Sequence, residues 1–189
     1  MVHIEFRRAE RGESEALVHR LDGAVVLVPS FTRKHRVPHD LAHAVTEREL
    51  GMAHGVFGSI MAGAVFENMR VVSGRTRHDA RAVSDRVLRA NARTLTTAEC
   101  LAGVLHHAVE HHEPAPTAMA RRAWGSLNED PFPWTDADVV RATKALRDLD
   151  EQWRTTAADD VLTFAWPQRL TAPPPAPSRA RAKRGRLPR

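Results

Sequence analysis

The sequence predicts an α+β domain, in which a small antiparallel sheet (an N-terminal three-strand meander plus a C-terminal strand) packs with about six helices. Three observations predict it. The first thirty residues run at strand period, the pattern turns helical at Pro38, and a strand-like alternation returns near Val161. Of the 189 residues, 42% are hydrophobic and 27% charged, a balance normal for a chain that buries a core. Two domains would each sit near the lower size limit for a core, so residues 1–168 are read as one domain. Residues 169–189 hold mainly Pro, Ala, Arg and Lys and have too little apolar surface to offset the entropy of ordering; they are read as a disordered basic tail.

The meander comes first. His3-Ile4-Glu5-Phe6 alternates, Ala16-Leu17-Val18-His19 follows beyond a loop around Gly12, and Ala24 to Val28 is a continuous apolar run. Asp22-Gly23 between the last two is a hairpin signal, because glycine accepts the positive φ of a tight primed turn. Pro38 suits the start of a helix running to about Leu50, with Gly51 as its stop. A second helix is expected from about Val56 to Arg70. A third, from about Arg77 to Arg93, sets Ala80, Val83 and Val87 against a face of arginines. Thr96-Thr97-Ala98-Glu99 has capping-box spacing and should open a fourth helix that ends before Pro114. A short helix over Thr117 to Leu127 follows. Thr135, with Asp138 three residues on, should start the last, which carries Val139, Leu146, Leu149 and Trp153. Leu162, Phe164 and Trp166 then alternate as the closing strand.

The formal charge of +5 is unevenly distributed. Arg179, Arg181, Lys183, Arg184, Arg186 and Arg189 all lie in the last nineteen residues, which hold no acid. Without these six, residues 1–170 carry 22 basic against 23 acidic groups, so the domain is electrically balanced. The tail is thus the expected contact for an acidic protein or nucleic acid. No apolar stretch approaches the length of about 20 residues that spans a bilayer, and the N-terminus alternates where a secretory signal would be a block of apolar residues. A single cysteine, Cys100, makes no internal disulfide, and a cytoplasmic location is expected. No Gly-rich phosphate loop and no Gly-x-Ser-x-Gly is present.

The chemically loaded segment is Pro38-His39-Asp40-Leu41-Ala42-His43. On a helix, His39, His43, Glu47 and Asp40 fall at about 0°, 40°, 80° and 100°, while Leu41, Val45 and Met52 lie at about 200–240°. The polar stripe therefore faces away from the expected core. Histidines at i and i+4 present two imidazole nitrogens to one divalent metal such as zinc, and nearby carboxylates complete or orient the set. The same groups also suit acid–base catalysis without metal, with Asp40 or Glu47 as the catalytic group, and a stripe opposite the core equally describes a solvated surface.

A second cluster is His106-His107-Ala108-Val109-Glu110-His111-His112. His107 and His111 share a face with Cys100, a donor set for zinc, and also suit a helix C-terminus electrostatically. His106 instead aligns with Glu99 and Glu110 on an acidic side. The sharper expectation joins the clusters: His39 and His43 meeting His107 or His111 from another helix.

The run from Val28 to Glu67, with Phe31-Thr32-Arg33-Lys34, Pro38-His39-Asp40-Leu41-Ala42-His43, Glu47, Glu49-Leu50-Gly51, Phe57-Gly58 and Ala62-Gly63-Ala64, resembles a bacterial family of hypothetical proteins, which implies no activity. His39, Asp40 and His43 are also similar to the His-Asp-x-x-His hallmark of a largely helical ubiquinone-biosynthesis family that holds zinc with a further Glu. That Glu lies twelve residues beyond the second His, where this chain has Gly55, so the resemblance implies Glu47, Glu49 or Glu67 in its place. Two functions follow as expectations: hydrolytic or proton-transfer chemistry at His39–Glu47, or a non-catalytic interaction module acting through its tail.

Overall fold

The computed structural model describes residues 2–9, 13–30, 35–75, 77–113, 116–171 and 175–176. The loop at Gly12, the Phe31–Lys34 segment, Pro114 and the six basic residues of the tail lie outside these. Three strands form the meander: β1 (His3–Arg8), β2 (Ser14–His19) and β3 (Val25–Pro29). β2 pairs antiparallel with both neighbours, Ile4 facing Val18 and Val18 facing Val26. Gly23 turns the second hairpin at φ +81°. The C-terminal strand β5 (Leu162–Ala165) pairs antiparallel with β1, as expected.

A fifth strand departs from the sequence reading. The expected helix over Val56–Arg70 is only α2 (Val56–Met61), closed by Gly63 at φ +113°, a conformation a side chain rarely adopts. The chain then extends into β4 (Arg70–Ser73), where adjacent β-branched Val71 and Val72 favour a strand, and the sheet order is β4-β3-β2-β1-β5.

A second departure lies in the middle. The two helices expected on either side of Thr96 are one 31-residue helix, α3 (Ala80–Glu110), so the α-helices number five among the described residues. Thr96 and Thr97 do not cap a new start. Their hydroxyls donate to the carbonyls of Ala92 and Arg93 one turn back, inside the continuing helix. The remaining helices are α1 (His39–Glu49), α4 (Thr117–Gly125) and α5 (Asp136–Thr155). α5 does open with the expected box: the Asp138 N–H donates to Thr135 Oγ1, and the Thr135 N–H to Asp138.

Ile4, Phe6, Ala16, Val18, Val26, Val28, Leu162 and Phe164 alternate along four strands and are buried on one face of the sheet. Phe6 meets Phe57 and Phe164 at centroid distances of 6.3 and 6.4 Å, each ring contributing about 2 kcal/mol or more by burial. α1 is the central helix. Every residue from Leu41 to Glu47 is buried, because α3 and α5 pack against it on sides that the sheet and α2 do not cover. His43 and Glu47 of the polar stripe are therefore buried, although their position opposite Leu41 and Val45 suggested water, while His39 and Asp40 remain partly exposed. No described helix is long and apolar enough to cross a membrane.

Candidate metal centre

α1 and α3 run past each other so that the N-terminal turn of α1 lies against the C-terminal half of α3. Arg36 donates to the Val109 carbonyl, and the Val37 N–H donates to Glu110 Oε1. This docking sets His39 and His43 opposite Glu99. His39 Nε2 lies 3.2 Å from Glu99 Oε1 and His43 Nε2 lies 3.0 Å from Glu99 Oε2. The two imidazoles meet edge to face, 4.8 Å apart. His43 is 3% exposed, His39 33% and Glu99 60%, so the cluster is closed behind and open at Glu99.

Glu47 closes the back. It is fully buried, and its two oxygens accept the N–H groups of Val56, Phe57 and Gly58 at 2.8, 2.9 and 3.2 Å. These are orphan donors at the start of α2, so the carboxylate satisfies a helix end within the core. Gly55 makes the approach feasible, because a Cβ there would lie 2.4 Å from Glu47 Cδ. Glu47 Oε1 also lies 3.5 Å from His43 Nδ1, a charge contact too long for a full hydrogen bond. His43 thus stands between two carboxylates.

Electrostatics follow from that placement. Burial alone would lower the His43 pKa, but contacts with Glu47 and Glu99 overcome it and raise the value to about 9. Hydrogen bonds from His39 and His43 hold Glu99 far below the usual carboxylate range. Burial raises Asp40, in the first turn of α1, to about 6, against the lowering influence of His43 and His39.

The second sequence cluster divides. His107 and His111 stack on one another at 4.0 Å; His107 contacts Glu113, and His111 Nδ1 contacts the His107 carbonyl. Neither belongs to the group around His39 and His43. The α3 histidine that comes near is His106, 5.5 Å from the His39 ring, with Nε2 2.9 Å from the Val37 carbonyl. His106 also forms a potential ligand group with His35 and Glu110. Glu99, His106 and Glu110 share the face of α3 recognised as acidic in the sequence. Glu99 was legible there as a helix cap and as part of that acidic face, and its partnership with His39 and His43 comes from the docking of α1.

A third group was missed. His3, Glu5 and His19 gather on the helix-free face of the sheet, the two imidazoles stacked at 4.1 Å and Glu5 contacting them at 3.1 and 3.3 Å. Residues i and i+2 of a strand, with the partner facing one of them across a hairpin, give that juxtaposition. Searches against protein-family models, curated proteins and solved structures find no match to this chain.

Proposed function

We propose that His39, His43 and Glu99 hold a divalent metal ion, zinc by preference, and that the centre carries out metal-assisted hydrolysis or proton transfer. The observation that carries this reading is the closure of both Nε2 atoms on one carboxylate at 3.2 and 3.0 Å. Ligands bound to zinc at about 2.0–2.2 Å in a tetrahedron stand roughly 3.3 Å apart, close to the two histidine–carboxylate distances, and all three residues offer donor atoms within 4.8 Å of one another. Imidazole and carboxylate are the donors zinc takes, and three protein ligands leave a fourth position for water or substrate. The exposed side of Glu99 supplies the access.

The surroundings support the same reading. A metal-ligating histidine commonly directs its other ring nitrogen at a carboxylate, and Glu47 stands 3.5 Å behind His43 Nδ1. Glu47 is then a positioning residue, held by α2, and not the base. Asp40, on the first turn of α1 beside both histidines, is the residue assigned to proton transfer. When bound, the ion would polarise a water or carbonyl; Glu47 would orient His43, the buried wall behind His43 would exclude water, and Asp40 would move the proton. A reducing cytoplasm suits a chain with one cysteine.

The test is zinc titration of the chelator-treated full chain by calorimetry, with cobalt substitution read by its absorption. The His39→Ala/His43→Ala variant is expected to lose the site, whereas His19→Ala and His35→Ala, in the other two groups, retain it. Zinc affinity and stoichiometry unchanged in the double variant would overturn the assignment.

A further inference from the structure

At the far end of α1 from His39, about 16 Å away by helix rise, a recess of about 410 Å³ opens between the loop after α1, α3 and the segment joining α4 to α5. Trp124, Trp134 and Met52 give it apolar walls, and Arg93, His54 and Asn128 its polar groups. The two indoles meet at 86° with centroids 5.3 Å apart, forming a right-angled aromatic corner. Both are fixed. Trp124 Nε1 donates to the Asp130 carbonyl at 2.8 Å and Trp134 Nε1 to the Leu50 carbonyl at 2.7 Å. Phe132 braces them from 6.4 and 5.3 Å, with the Arg121 guanidinium over its own ring. The indole N–H groups are used by the protein, so the recess is offered ring surface, already ordered before any ligand arrives.

Its charge is uncompensated. Arg93 makes one hydrogen bond, to the Leu127 carbonyl at 3.3 Å, and no described carboxylate pairs with it. Asn128 donates to the Trp124 carbonyl and makes a long contact with Thr97 Oγ1. An apolar corner that accepts a flat ring beside a cation with no counter-ion among the described residues defines one ligand chemistry. We propose that this recess binds a small aromatic oxyanion, its fused rings in the corner of Trp124 and Trp134 and its carboxylate or phosphate on Arg93. The site is separate from the metal centre and stands without it.

The test is calorimetry on the full chain with 2-naphthoate, 2-naphthyl phosphate and neutral 2-naphthamide, together with indole N–H chemical shifts. Both anions are expected to bind at least about tenfold more tightly than the amide, and the tighter anion identifies the oxyanion. Arg93→Gln should abolish that preference while leaving amide binding in place, and Trp134→Leu should weaken all three. In the wild-type protein, shifts should appear at Trp124 and Trp134, a readout that does not depend on a variant folding. His39→Ala/His43→Ala should bind naphthoate as wild type does, which separates this site from the zinc assignment. Equal affinity for anion and amide, no binding at millimolar naphthoate, or shifts confined to the buried Trp153 and Trp166 would overturn the proposal.

Discussion

His43 and Glu99 meet at 3.0 Å although 56 residues separate them, and the contact joins the central helix to the longest one. Its behaviour without metal follows from charge. In Glu99→Gln the imidazolium loses one of its two counter-charges, so the His43 pKa should fall by about one unit or more. Histidine side-chain NMR across a pH series reads this directly. Zinc affinity of the same variant should drop by a factor of about 100 or more, because a first ligand is lost.

The stability of the metal-free protein should depend on pH through His43. Its pKa is raised in the folded state, from an ordinary 6.5 to about 9. A group of that kind stabilises fully below pH 6.5, and its contribution disappears as pH rises through about 9. Thermal melts in chelator should therefore show a Tm lower at pH 9.5 than at pH 6.5, with a smaller difference in His43→Gln. Zinc must displace the same proton, so its apparent affinity should rise with pH over this window.

Glu47 has a structural consequence that can be measured apart from chemistry. Glu47→Ala leaves three N–H groups at the start of α2 without their acceptor, and a loss of about 2–4 kcal/mol is expected in urea denaturation. Gly55→Ala should reproduce part of it, since the added Cβ occupies the space of the carboxylate. A Gly55→Ala protein as stable as the wild type would contradict this account of the approach.

The basic tail gives a separate expectation. Truncation after Leu170 removes six cationic groups and should abolish binding to duplex DNA at low salt. The salt slope of any remaining affinity should fall by up to about five. Identical binding curves for the two chains would rule out the tail as the contact.

The parts of the fold that were legible rest on local chemistry. The meander follows from alternation and Asp22-Gly23, the closing strand from Leu162 and Phe164, and the start of α5 from Thr135 and Asp138. Thr96 to Glu99 misled because a hydroxyl three residues before a glutamate also fits a helix interior, where the threonines bond backward. Glu99, His106 and Glu110 share one surface of the helix with or without that break; what the sequence does not show is that α1 docks there. The burial of His43 and Glu47 was hidden for a different reason. Helical periodicity names one apolar face, whereas α1 is enclosed on all sides from Leu41 to Glu47, with Glu47 accepting from α2 and His43 Nε2 meeting Glu99 of α3. His39 and His43 were visible as a pair; their carboxylate was not.

The pairing of β5 with β1 has a consequence for biosynthesis. Until Leu162–Ala165 leaves the ribosome, β1 has an open edge and Phe6 lacks the ring of Phe164 beside it. The five described α-helices are made before that strand arrives, so the nascent chain carries a sheet without its last strand until late in synthesis. Such an edge invites pairing with another chain. The last strand is therefore the latch that ends this vulnerable period, and cellular yield should be most sensitive to damage there.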